Sequence, residues 1–566
     1  MQSVQREKQI SPKELYLKVK ELPTPEKIEE ITKALVGIKS INGTYGEVII
    51  ADFLSSFMKN IPYFSQYPEL IWEQPLKDDH LGRKNIFAFL KGDVKSKKVV
   101  LFHSHMDTVG VGDFDGNKDE AFQPDVLKAH FAKQDNNQEL KQAALSNEWM
   151  FGRGSVDMKS GIAVHLANLM HFSEQADQLK GNILVMFNPV EENEHTGVID
   201  SVEELLILKD EKKYEFMLGI NNDFITGLYE GDTNKYIYTG AVGKLLPCFY
   251  IYGREAHVGE TLTSVDPTLI SAEINRKINN NMELAENIQG ELVLPPACLY
   301  QRDNKDFYNV QTALSSYMYF NYFVYKDSPN EVMEKLLTKA KQACLEMENH
   351  MKSQYQTFCE VTEAPTSPNL NWKIDVLSYN EYTSGLVSKG IDVKAISKKV
   401  VKNNVGVEKR ELCFKILEEL QKEDPDKSPR VVIFFAPPYC PHNYLRDEVE
   451  GEKETLNLIH DVLENFEEES SEVFKVKKFF PYLSDSSYLS LHDTNTEIDS
   501  LIENFPEFEK IYPVPVHDIR KLNIPSINIG VYGQDAHKRT ERVYKPYSFQ
   551  TLPYIIRNLT EKILNQ

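Results

Sequence analysis

Histidine and carboxylate residues gather in three short clusters along this chain, each ordered in a way that suits metal or acid–base chemistry. His105-Met106-Asp107 follows an apolar run at residues 98–103 that reads as a buried strand. Residues two apart on an extended segment project to one side. His105 can therefore bind a metal while Asp107 accepts a hydrogen bond from its other ring nitrogen. Polar residues closing a strand are the plainer reading of the same triplet. His103 is in phase with the pair, one step further into the strand. In Gly152-Arg153-Gly154-Ser155-Val156-Asp157-Met158-Lys159 two glycines allow a tight turn, and Asp157 falls just before an expected helix. Its carboxylate can cap that helix or bridge two cations, one on each oxygen. Glu191-Glu192 follows an apolar run at 182–187. Adjacent acids there repel one another unless a cation is present. One can ligate a metal while its neighbour activates a water, the division of labour that two-metal hydrolysis requires. Solvated acids on a loop are the alternative, although Pro189-Val190 brings the pair directly off the strand.

These clusters need a frame. Apolar residues at helical spacing (Ile28, Ile31, Leu35 and Ile38, then Ile50, Phe53, Leu54 and Phe57) predict two helices separated by Asn42-Gly43, with Thr44 as N-cap of the second. Strands are expected at 85–90, 98–103 and 182–187, a helix at 161–172, and a polar excursion with little pattern at 113–147. This alternation argues for an α/β fold, a mostly parallel sheet flanked by helices, in which ligands bind at the carboxyl ends of the strands. From about residue 240 the order becomes a strand at 245–252, a helix at 267–278, one or two strands within 311–325, a long helix at 331–355 and a strand at 372–377. That β-α-β-β-α-β order predicts an inserted ferredoxin-like α+β domain. After residue 379 the first pattern resumes, with strands at 431–435 and 526–531 and a closing helix from Pro546. The expected division is thus 1–240 with 379–566 for the domain that carries the clusters, and 241–378 for the insert.

The 566 residues, 41% of them hydrophobic, suffice for two cores. A net charge of −21 argues against general nucleic-acid binding, because phosphates would be repelled. Six cysteines without a Cys-x-x-Cys pair read as reduced thiols. With neither a leader-like apolar stretch at the start nor a membrane-length apolar run, the expectation is a soluble cytoplasmic protein without membrane partners. The acidic stretches at 418–426 and 464–472 read as solvated faces. Ala436-Pro437-Pro438-Tyr439-Cys440-Pro441-His442 reads as a rigid loop and is left out of the site.

Taken in order, the His-x-Asp triplet, the Gly-Arg-Gly-x-x-Asp-Met-Lys segment, the strand ending in a Glu pair and the late Ala536-His537 resemble the M20 metallopeptidase family. Ser40-Ile41-Asn42-Gly43-Thr44 and the unusual length resemble its arginine-utilisation branch. The resemblance implies a zinc-peptidase-like catalytic domain and a lid or dimerisation domain, hence a homodimer through the insert. It implies that His105 holds the first metal with Asp107 orienting it, that Asp157 bridges, that Glu191 is the general base, that Glu192 is a ligand to one metal, and that His537 ligates the other metal. Asp223 is the choice for the remaining carboxylate ligand, with Glu230 as its competitor. His257, in Gly253-Arg254-Glu255-Ala256-His257-Val258-Gly259, would stabilise the oxyanion, reaching the partner's site in dimeric members. Two divalent ions would activate a water whose proton Glu191 takes, cleaving an amide or peptide bond of a small peptide or N-acyl amino acid. Nitrogen and oxygen donors suit zinc, with cobalt or manganese as alternatives. No organic cofactor is implied. The family's lid arginine and its Gly-Pro-Gly loop have no match here, Ser484-Asp485-Ser486 matches a family segment only in part, and residues 395–480 have no clear counterpart. These departures keep a non-catalytic metal-binding or regulatory protein as the competing reading, against which the intact Glu pair weighs.

Overall fold

The computed structural model describes residues 9–93, 95–114, 118–134, 137–367, 369–469 and 472–566. The chain divides into two compact units. The first holds the residues up to Ala241 with Asn443–Leu491 and Asp518–Gln566, and the second holds Val242–His442 and His492–His517.

The first unit is built on an eight-stranded sheet in the order Ile71–Pro75, Lys84–Lys91, Asn182–Asn188, Lys98–His105, Glu215–Asn221, Ser526–Asn528, Lys235–Tyr238 and Phe474–Lys477. Its centre, from Asn182–Asn188 to Ser526–Asn528, is parallel. The pairings of Ile71–Pro75, Lys84–Lys91 and Asn182–Asn188 are antiparallel, as is the join to Lys235–Tyr238. The sheet is therefore mixed around a parallel core. Every residue of Asn182–Asn188 is buried, as expected of a strand covered on both faces. Helices Thr24–Val36, Gly46–Met58, Lys159–Glu174 and Leu552–Asn565 bury their apolar stripes in this unit's core, among them Ile28, Ile31, Leu35, Ile50, Leu54 and Phe57. Each such side chain contributes about 1.5–3 kcal/mol of burial. The strand Lys98–His105 runs two residues further than its apolar pattern and ends on His105 itself. Thr44 is not the N-cap of the second helix, a position taken by Tyr45; its Oγ1 accepts the Gly46 N–H at 3.2 Å instead. The excursion is not patternless either. Within it Pro124–Phe131 and Gln138–Leu145 are helices whose Leu127, Phe131, Leu140 and Ala144 cluster with Phe151, while 115–117 and 135–136 lie outside the described residues.

The second unit carries a sheet in the order Ala297–Asp303, Ser315–Val324, Pro247–Tyr252, Arg430–Phe435 and Asp375–Ser378, with Gly243–Leu245 also paired to Ser315–Val324. The β-α-β-β-α-β order is present, with helices Pro267–Ile278 and Pro329–Thr362, but only one middle strand, Ser315–Val324, lies within 311–325, and the other is Ala297–Asp303. The closing strand, however, does not meet the first. Arg430–Phe435 lies between them, antiparallel to Pro247–Tyr252 and parallel to Asp375–Ser378. The expected boundary at 379 is thereby corrected: residues 379–442 belong to the second unit. The physical reason is burial. Helices Tyr379–Ser388, Val393–Asn403 and Lys409–Glu423 pack Tyr382, Leu386, Val400, Phe414 and Leu417 against Cys248, Tyr250, Tyr317, Val432 and Phe434. This gives the sheet a second covered face that a plain ferredoxin-like insert lacks. All six cysteines are free. Among the described residues no helix is long and apolar enough to cross a membrane.

One buried acid makes this unit sensitive to pH. Burial, followed by the nearby Glu497 and Glu331, pushes the Asp493 carboxyl up to about 7. The native state then keeps a proton that the unfolded chain gives up near its ordinary value of 3.8. This contribution to stability is full below about pH 4 and is lost as pH rises through 7. Asp493→Asn should therefore gain in Tm relative to wild type between pH 5 and pH 8. An equal Tm difference at both pH values would refute the assignment.

Candidate metal centre

The three clusters converge at the carboxyl ends of the central strands. Asp157 stands at the middle. Its Oδ1 lies 3.0 Å from His105 Nε2 and its Oδ2 lies 3.0 Å from His537 Nε2. It is not a helix cap: the following helix, Lys159–Glu174, opens on Met158 without a side-chain cap. His105, Asp157 and Asp223 present one group of ligand atoms within 4.8 Å of one another, and Asp157, Glu192 and His537 present a second. Asp157 belongs to both. Glu192 Oε2 is 3.1 Å from His537 Nε2. Asp223 follows the strand Glu215–Asn221, and its N–H donates to Asn528 Oδ1 at 3.0 Å. A Cβ on Gly530 would come within 1.5 Å of the Asp223 carbonyl, so glycine is what lets the backbone pass there. Glu230, the competing choice, is exposed and belongs to neither group.

Asp107 is fully buried, and the His105 ring meets its backbone carbonyl, not the carboxylate that the spacing suggests. Its backbone carbonyl lies 3.2 Å from His105 Nδ1 and its Oδ1 lies 3.6 Å from the same nitrogen. The carboxylate also accepts the backbone N–H groups of Glu191 and Glu192, each at 3.1 Å, and the Asn42 amide at 2.8 Å. One residue thus meets the His105 ring through its carbonyl and the Glu191-Glu192 turn through its carboxylate. Glu191 takes part in neither ligand group; its oxygens lie 3.9 Å from His105 Nε2 and 3.9 Å from His195 Nδ1. The pair sits between two residues in the left-handed region, Val190 (φ 70) and His195 (φ 57). For a β-branched residue that conformation is strained, and such strain gathers at functional sites. His103 is buried and belongs to no ligand group, its Nε2 3.2 Å from Ser486 Oγ. His257 lies in the second unit, exposed, with Nδ1 accepting the Gly259 N–H at 3.1 Å.

The electrostatics of this cluster call for cations. Burial alone would lower His105, yet Glu191, Asp107 and Asp157 hold it well above its ordinary value. His537, bonded to Asp157 and Glu192, is pulled up to about 11. Asp157 is held low, against its burial, by these two imidazoles. Burial and then Asp157 push Asp223 up to about 8 and also raise Glu192. Burial raises Glu191 well above the usual range, with the two flanking histidines opposing it. Glu192 Oε1 is buried without a hydrogen-bond partner. An uncompensated buried acceptor among crowded carboxylates, with two imidazoles supplying positive charge, fits divalent metal ions.

Several supporting residues escaped the sequence reading. Glu541 is buried, and its carboxylate accepts the N–H groups of Val156 (3.1 Å) and Asp157 (3.3 Å) and a 3.0 Å bond from Arg153. It ties the His537 segment to the Asp157 turn. Glu47 does the same for the Glu pair, accepting the N–H groups of Gly43 and Val190 and bonding Arg83. Neither carboxylate belongs to one of the strand-end clusters, and only the fold shows what each holds. Glu541→Gln should weaken metal affinity by about 10–100-fold, as loss of an outer-shell partner does. Chelator competition measures this, and unchanged affinity would show that Asp157 is held without Glu541.

Residues 101–544 match the family described as Peptidase family M20/M25/M40. Protein RocB of Bacillus subtilis (strain 168) is 49% identical to this chain, over 97% of each. Protein YqjN of the same strain is 32% identical, over 96% of this chain and 97% of that one. Among solved structures, aminopeptidase PepT from Bacillus cereus ATCC 10987 has a TM-score of 0.51 at 12% identity, covering 95% of this chain and 98% of that one, a likeness of fold. The chain belongs to the M20/M25/M40 peptidase family and is a hydrolase of that family.

Proposed function

We propose that the protein is a two-metal hydrolase that cleaves an amide or peptide bond of a small peptide or an N-acyl amino acid. The observation that carries this reading is Asp157, shared by two ligand groups with one imidazole on each of its oxygens. His105 and Asp223 would hold one ion, Glu192 and His537 the other, with Asp157 between them. The nitrogen and oxygen donors suit zinc, with cobalt or manganese able to substitute. Bound ions would polarise the scissile carbonyl and acidify the attacking water. Glu191, outside both ligand groups, would accept the proton of that water and pass it to the leaving nitrogen as the C–N bond breaks. Asp107 would orient His105 and the turn that carries Glu191. His257 is assigned stabilisation of the oxyanion by family resemblance, delivered from the second copy of a homodimer joined through the second unit. A base outside the two groups that share Asp157 is of no use to a binding protein, which favours catalysis over that reading.

The test is hydrolysis of a panel of dipeptides and N-acyl amino acids, N-acetyl-arginine among them, with zinc, cobalt or manganese supplied. Turnover that depends on metal supports the reading and reveals the substrate class. No turnover on any member of the panel, with two metals bound per chain, would count against it.

A further inference from the structure

A second layer of the site lies under the Glu pair. Ser484, Asp485 and Ser486 are buried, and each is fastened to the end of a different central strand. Asn221 donates to Ser484 Oγ at 3.0 Å, Asn188 donates to Asp485 Oδ2, and Ser486 Oγ lies 3.2 Å from His103 Nε2. Those three partners belong to the adjacent strands Glu215–Asn221, Asn182–Asn188 and Lys98–His105. So anchored, the segment presents its remaining carboxylate oxygen, Asp485 Oδ1, to His195 Nδ1 at 2.9 Å. His195 is 2% exposed and left-handed in backbone, with its N–H bonded to the Val190 carbonyl at 2.8 Å. The same Nδ1 stands 3.9 Å from Glu191 Oε1, matching the 3.9 Å from His105 to Glu191 Oε2.

We propose that His195, oriented by Asp485, is a positioning residue for Glu191. The inference rests on Glu191 being the general base. A carboxylate that moves protons must be aimed and yet keep its lone pairs free. The His195 Nδ1–H, 3.9 Å from Glu191 Oε1 and beyond hydrogen-bond reach, provides both. Asp485 fixes the His195 ring with Nδ1 as the donor, and that polarised N–H attracts the Glu191 carboxylate and holds its rotation without binding it outright. Glu191, His195 and Asp485 also form a third group of candidate ligand atoms. The Asp485–His195 bond and the Asn188 bond already occupy that group, which favours positioning over a third cation.

The experiment uses the zinc-loaded full chain and the N-acyl amino acid or dipeptide that wild type turns over fastest. His195→Gln and Asp485→Asn should each lower kcat by about 10–100-fold, the cost of a base misplaced by an ångström. KM should change by less than about three-fold, and two zinc ions should remain bound. In the double variant Glu191→Gln/His195→Gln the losses should not multiply, because both changes act through one carboxylate. Multiplying losses, or a His195→Gln enzyme with wild-type kcat, would overturn the proposal, as would a third equivalent of zinc that His195→Gln removes. If Glu191→Gln itself retains turnover, the base assignment fails instead, and the two failures are told apart. Crystal structures of zinc-loaded wild type and His195→Gln give a readout independent of turnover. Displacement of the Glu191 carboxylate is expected, and an unmoved carboxylate would contradict the proposal.

Discussion

Glu191→Gln is expected to lower kcat by about 10²–10⁴-fold, the span that general acid–base catalysis supplies, while the protein folds and binds its metals as wild type does. Glutamine has the same shape and leaves untouched the backbone bond from residue 191 to Asp107 Oδ1. It disturbs neither ligand group, since Glu191 belongs to neither of the two that share Asp157. What it removes is the ability to take and return a proton. Turnover near that of wild type would place the base elsewhere, and loss of a metal would make Glu191 a ligand. Isothermal titration with zinc alongside steady-state kinetics separates these outcomes.

Asp157→Asn should have the larger effect on binding. One oxygen of Asp157 faces each imidazole, so an amide in its place leaves one half of the centre facing an N–H₂ group that cannot ligate. We expect the zinc stoichiometry to fall from two per chain to one or none, and turnover to disappear with it. Without metal, the variant loses a buried charge pair with His105 and should be less stable by about 3–5 kcal/mol. Two tightly bound zinc ions in this variant would mean that Asp157 is not the bridge.

Much of the site was legible because its residues adjoin strands with strong apolar patterns. His105 closes Lys98–His105, and Glu191 follows Asn182–Asn188 after a short turn; in a parallel sheet, position after a strand is position in the site. Asp223 came only from the family resemblance, because the strand Glu215–Asn221 before it was not among the expected ones. What was not legible depends on contacts between distant parts of the chain. Glu541 beside Asp157, Glu47 beside Val190, and Asp485 beside His195 and Asn188 have local sequences that say nothing of their partners. The fold behaved similarly. The apolar run of Arg430–Phe435 announced a strand, but its pattern could not tell which sheet it would join, and it joined the second unit's. The acidic stretch at 418–426 read as a solvated face, yet its Leu420 is buried with Val400, Leu417 and Phe414, which close one side of that sheet.

The central claim is that two metals share Asp157. Anomalous diffraction from zinc-loaded crystals of the full chain tests it most directly. Two peaks are predicted, one touched by His105, Asp157 and Asp223 and the other by Asp157, Glu192 and His537. A single peak, or peaks that Asp157 does not contact, would contradict the account.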